Sequence, residues 1–265
     1  MRKIIFRISY VVVIVLFLVS FFVLKKLPQK SEIVPDLYRE PIQTETTRKD
    51  FSFSYRHKNY NVRPIADYEL WGLVVSKNNI NAWYNYYTDK NSVNLKDVCV
   101  VWGKNIEDEV YRDKAVSFSS GEWTCYINFS EYPKETFYED KLSNNHLLTA
   151  DPAIQDKIRN LNIGDQIYLK GSLVDYAEER SSWYRMTSVS REDINSNSRS
   201  GGACEIVYVD EIKIFKKYHE FWHFLNQAIK IVFTGLVITN ITLFFIDTKK
   251  FVVEMETVEE ENNIQ

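Results

Sequence analysis

The residues best suited to chemistry in this 265-residue chain are His219, Glu220 and His223. They stand as His219-Glu220-Phe221-Trp222-His223, a spacing at which two imidazoles share one helix face and hold Zn²⁺ while the glutamate activates the metal's water. A catalytic zinc needs a third protein ligand, and no His, Asp or Glu follows before Asp247. His57 or His146 would have to supply it. The neighbours Tyr218, Phe221, Trp222 and Phe224 suit a different role, an aromatic belt at the headgroup level of a bilayer. On that reading the histidines are belt residues and no cofactor is implied. Zinc hydrolysis is the alternative.

A second candidate pair is His146 as general base and Cys125 as nucleophile. Nothing in the sequence brings them together, and a backbone-bonded loop histidine with a core cysteine explains both residues as well. No two of Cys99, Cys125 and Cys204 lie within four residues, so no metal-ligand pair is present. Cys125 and Cys204 fall in expected strands and either bridge in an oxidising compartment or stay reduced as small core residues. Gly201-Gly202 precedes no phosphate-cradling helix. With 33 Lys/Arg against 36 Asp/Glu and no basic stripe, nucleic-acid binding is not expected. A binding surface is more economical than catalysis. Its candidate residues are Trp83, Tyr84, Tyr86 and Tyr87, aromatics between polar neighbours that suit a protein, peptide or glycan partner. The Ser/Asn/Gly segment 190–202 is their flexible companion.

The elements that must position these residues begin with two apolar segments. From Ile8 to Leu24 the chain carries no charge, and it ends without a small-residue cleavage site, so residues 1–25 read as an uncleaved signal anchor. A second span is expected from Ile231 to Ile246 within residues 218–248. Thr234, Thr239, Asn240 and Thr242 suggest a helix packed on another, which also allows a homo-oligomer. Residues 249–265 form an acidic tail. Basic residues flank both spans almost equally, so orientation rests on the signal anchor and the acidic tail. These favour cytoplasmic termini and a domain outside the plasma (inner) membrane of a bacterium, with the lipid bilayer as its first partner.

Between the spans, residues 26–50 read as a stalk, with Pro28, Pro35 and Pro41 and no periodicity. Residues 51–217 read as mostly β. Strands are expected at Phe51–Tyr55, Tyr68–Lys77, Val98–Trp102, Glu122–Phe129, Gln166–Ala177, Ser182–Val189 and Glu205–Phe215. One helix follows Asp151-Pro152, with Ile154, Ile158 and Leu161 as its apolar stripe. Gly171 marks a bend or bulge. The stretch Ile163-Gly164-Asp165-Gln166-Ile167-Tyr168-Leu169-Lys170-Gly171-Ser172-Leu173-Val174 resembles the fourth strand of the OB-fold, and Ile206–Phe215 resembles its closing strand. That resemblance implies a small five-stranded barrel with one helix, binding through its first and fourth-to-fifth strand loops. With Pro64-Ile65-Ala66-Asp67-Tyr68-Glu69-Leu70-Trp71-Gly72 and Gly201-Gly202-Ala203-Cys204-Glu205, the whole chain resembles uncharacterised bacterial two-span membrane proteins. No function comes with that likeness.

Overall fold

The structure, a computed structural model, describes residues 2–80, 92–121, 123–189 and 204–264. It separates into two compact units, Leu27–Tyr218 and the pair Met1–Lys26 with His219–Gln265. The first unit is mostly β-sheet; the second consists of two long apolar helices.

Strand β3 (Lys58–Asn78) organises the larger unit. It is joined to β2 (Phe51–Tyr55) by a two-residue turn in which Arg56 and His57 both have positive φ, 44° and 66°. That backbone matches the twist of the flanking strands. One edge of β3 pairs in succession with β2 from Lys58 to Val62, with β1 (Ile42–Glu45) from Ala66 to Glu69, and with β4 (Lys96–Val101) from Leu73 to Asn78. The other edge pairs with β8 (Gln166–Glu178) from Tyr60 to Leu73. The strand therefore starts ten residues before the expected Tyr68. Pro64 hides this in the sequence because it has no N–H to donate, and the register shifts between Pro64 and Ala66 to accommodate it.

From β4 the pairing continues to β7 (Leu142–Leu148, antiparallel), to β9 (Cys204–Lys216, parallel) and to β8 (antiparallel), which returns to β3. Glycine at 171 is explained by space. The β8–β9 register shifts between Lys170 and Gly171, and a Cβ there would collide with the main-chain oxygen of Tyr208. Of the other expected strands, Glu122–Phe129 is shorter, β6 (Cys125–Phe129) paired with β5 (Val116–Ser120). Ser182–Val189 makes only a bridge between Arg185 and Tyr176.

Helix α3 (Pro152–Arg159) lies between β7 and β8, preceded in the chain by the one-turn helix α2 (Lys104–Glu107). Asp151 Oδ1 caps α3 by accepting from the Ala153 and Ile154 amides at 2.7 and 3.3 Å. Its last carbonyls meet three lysines. Lys77 and Lys96 Nζ donate to Leu161 O, Lys96 also to Arg159 O, and Lys217 to Asn160 O. Lys96 is buried, and burial, with Lys77 and Lys217 nearby, pulls its pKa down to about 6.

Two hydrophobic clusters result. The larger holds Leu70, Val98, Val100, Leu147, Ile158, Leu169 and Val207. The smaller lies on the other face of β4 and unites Ile33, Leu37, Leu73, Cys99, Val101, Ile106 and Tyr111. Residues 27–50 are thus no stalk. Leu37 is fully buried, two 3₁₀ turns and β1 lie on the sheet, and the Tyr111 hydroxyl donates to Pro28 O at 2.7 Å. Proline-rich, aperiodic chain looks like a linker in sequence, but here its few apolar residues have a sheet face to cover.

In the helical unit, α1 (Arg2–Val23) has 22 residues and α4 (Glu220–Ile264) has 45. Both are long and apolar enough to cross a membrane. At 1.5 Å per residue they measure about 33 and about 67 Å, against a hydrocarbon core of about 30 Å. They pack antiparallel: Asn226 Nδ2 donates to a buried Ser20 Oγ at 2.8 Å, and Asn240 Nδ2 reaches the Tyr10 hydroxyl at 3.4 Å. Thr234, Thr239 and Thr242 are exposed and bond back to carbonyls of their own helix, so the contact with α1 is made elsewhere than at these threonines.

Because Gly171 is required by a close main-chain approach, Gly171→Val should destabilise the full chain in detergent by about 1–3 kcal/mol. Urea unfolding followed by tyrosine and tryptophan fluorescence measures this. An unchanged midpoint would mean that β9 can move away at no cost.

Candidate functional site

Strands β4, β7 and β9 lie side by side, and their registers align a polar column on one face. Asp97 on β4 faces His146 on β7, and Asn144 on β7 faces Cys99 on β4 and Cys204 on β9. Alternation sends Val98, Leu147 and Val207 to the opposite face and into the larger core. Asp97, Asn144 and His146 are all buried, while Cys204 is half-buried and its thiol is free.

The β5–β6 hairpin covers this column. Cys125 on β6 is disulfide-bonded to Cys99, with Cα atoms 5.9 Å apart. The bridge therefore differs from the Cys125–Cys204 pairing that the strand positions allowed. Cys204 lies across β7 from β4, beside Asn144. Ser76 Oγ and Ser120 Oγ, 2.6 Å apart, and a bond from Asn78 Nδ2 to Gly121 O at 3.0 Å hold the hairpin's other strand and turn. In the turn, Trp123 adopts a positive φ of 59°. Its carbonyl accepts from Cys204 Sγ at 3.2 Å and from Asn144 Nδ2 at 3.3 Å. Its ring packs on His146 at 4.9 Å between centroids, and the Arg185 guanidinium lies 3.7 Å from its centroid.

The His146 ring is held at both nitrogens. Nδ1 lies 2.5 Å from Asp97 Oδ1, which also accepts from Asn94 Nδ2 at 2.6 Å. Nε2 lies 3.5 Å from Asn144 Nδ2, which is itself 3.5 Å from Cys204 Sγ. Burial alone lowers the imidazole pKa, but the hydrogen bonds and charges of Asp97 and Cys204 outweigh it, and the net result is a rise to about 9. The amide nitrogen of Asn144 suits a neutral ring. For the protonated ring, a half-turn of that amide presents Oδ1, which has no hydrogen-bond partner among the described residues. Asn144 can therefore follow the proton.

The other candidates fare differently. Trp83, Tyr84, Tyr86 and Tyr87, and the segment 190–202, lie outside the described residues. His219 precedes α4 with φ 55°, its carbonyl accepting from the His223 amide at 2.9 Å, and Glu220 is the first helical residue. Among the described residues no group of three His, Cys, Asp or Glu is placed to hold a metal ion. His57 sits in the β2–β3 turn and His146 within β7. Pairing His146 with Cys125 is overturned, since that sulfur is in the bridge. Asp97, Asn144 and Cys204 were missed. The available signal was Ser143-Asn144-Asn145-His146, four polar residues buried in one strand. An open groove of about 430 Å³, lined by Glu40, Tyr68, Trp102, Lys141 and Glu205 among others, is a separate feature.

No known protein family, curated protein or solved structure matches the chain.

The imidazole makes a pH prediction. His146 binds its proton more tightly folded than unfolded, where its pKa is near 6.5. Its contribution to stability is therefore complete below about pH 6.5 and lost as pH rises through about 9. The ring carbons observed by NMR should titrate near 9 and move to lower pH in Asp97→Asn. A titration at or below 6.5 in the wild type would refute the pairing.

Proposed function

We propose that the chain is an integral protein of a bacterial plasma membrane, anchored through α1 and α4, with its β domain on the non-cytoplasmic side. The observation that carries this is the Cys99–Cys125 bridge. Disulfides form and persist in oxidising compartments and are rare in the cytosol. The two helices are apolar along a full membrane thickness, and a domain between two spans must lie on one side.

The domain is best read as an OB-like barrel. The pairings return to β3, β7 and β9 are parallel, and α3 lies between β7 and β8, which supports that reading. In such barrels the ligand loops would be those joining β3 to β4 and β8 to β9. The first contains Trp83, Tyr84, Tyr86 and Tyr87. The role proposed is binding or scaffolding of a protein, peptide or glycan partner in the envelope. The polar groups Asn226 and Asn240 of α4 are already engaged by α1, so self-association through α4 would use its apolar face.

Protease added to intact spheroplasts should degrade residues 27–218 and spare a tag fused after Gln265. Alkylation before and after reduction, read by mass spectrometry, should find one bridge in protein isolated from cells. Protection of the domain with loss of the tag would reverse the orientation.

A further inference from the structure

We propose that the pocket between α1 and α4 holds one zwitterionic phospholipid whose headgroup ends in a primary ammonium, with its phosphate on Arg7 and its ammonium on Asp247 and Thr248. The proposal rests on the reading of the two helices as membrane spans and adds to it a site for one class of lipid. The pocket measures about 570 Å³, a size that takes small ligands. Arg7 and Asp247 are the charges that adjoin the uncharged runs beginning at Ile8 and ending at Ile246. Because the helices are antiparallel, both charges stand at the same edge of the apolar zone, the level of the headgroups.

Among the described residues, the lining carries this one cation and this one anion. An anionic headgroup would suit Arg7 but bring its excess charge to Asp247, and a cationic one would do the reverse. A headgroup with one charge of each sign meets both. Arginine takes phosphate through paired N–H donors. Thr248 Oγ1 donates to Phe244 O at 2.9 Å, so toward the pocket it is an acceptor, as Asp247 is. A primary ammonium has N–H groups for both, which a quaternary ammonium lacks. Deeper in, the Tyr10 hydroxyl accepts from Asn240 Nδ2 at 3.4 Å and keeps its own proton for an acceptor. Asn240 stands about 10 Å inward of Asp247 along α4, the depth at which the ester carbonyls of a lipid follow its headgroup. Leu243 and Phe244 give the start of the acyl chains an apolar wall. An apolar helix from a second copy could cover that wall, but it would leave both charges without a polar partner from the incoming chain.

The test uses the full chain in detergent, mixed with equal amounts of phosphatidylethanolamine, phosphatidylcholine and phosphatidylglycerol and read by native mass spectrometry. The native chain should retain one phosphatidylethanolamine, at least threefold over phosphatidylcholine and tenfold over phosphatidylglycerol. Arg7→Gln should lower retention of all three lipids at least fivefold. Asp247→Asn should remove the preference over phosphatidylglycerol. Equal retention of the three by the native chain, or no bound lipid, overturns the proposal even if neither variant can be purified. So does an unchanged preference in both variants. A dimer whose mass contains no lipid would also overturn it and give the pocket to a second copy. Recovery of the chain from lysed cells in the soluble fraction, without detergent, would instead defeat the span reading itself.

Discussion

Strand β4 has no face in water, and much of the domain follows from that. All six of its residues are buried. One face is covered by the larger core and α3, the other by the smaller cluster, the β5–β6 hairpin and the polar column. A central strand buried on both sides ordinarily reads as continuous hydrophobic sequence, and Val98-Cys99-Val100-Val101 does so. Lys96 and Asp97 break the rule, one on each face. A buried charge is tolerated only when paired or neutralised. Lys96 meets the closing carbonyls of α3 and is driven toward its neutral form; Asp97 meets the Nδ1 of His146. Two separate polar clusters, one on each face, are thus set by adjacent residues of one strand.

Covering the second face requires a lid that would not hold by itself. A two-stranded hairpin alone is marginal in water, and most of β6 is exposed. The Cys99–Cys125 bridge, closing a 26-residue separation, removes unfolded-chain entropy worth about 3–4 kcal/mol in the simplest account. That is comparable to the cost of holding the turn with Trp123 in a left-handed conformation while its carbonyl reaches Cys204 and its ring covers His146. The bridge thereby secures the hairpin that brings Trp123 onto His146. Residues 27–38 close the rest of the same face.

Much of the fold was legible because it is written locally. The Asp151-Pro152 cap, the apolar stripe of α3, the alternation of β9 and the two terminal apolar segments depend on neighbours within a few residues. The β3 extension was hidden by Pro64, whose lost donor is absorbed by a register shift that only the β8 pairing reveals. The packing of residues 27–50 was hidden for a similar reason, since its apolar residues have no period of their own. The cluster was half legible. His146 stood out, but its partner was sought at Cys125. Cys204 joins the cluster through a parallel β7–β9 pairing between distant segments, a contact that spacing in a single sequence does not encode.

Sulfur chemistry in this domain is divided by burial. Cys99 is fully enclosed, so the bridge it makes is shielded on one side by two strands and on the other by the hairpin that it secures. Cys204, at the start of β9, is the one cysteine both free and partly exposed. An oxidising surrounding would leave the first pair bonded and would act on the second. Whether a thiol in that position is inert or reactive depends on the proton acceptor beside it. Here the Sγ proton is directed to the Trp123 carbonyl, 3.2 Å away. The same strand arrangement that placed Asp97 in the interior thereby sets an imidazole against it, one residue pair from the free thiol.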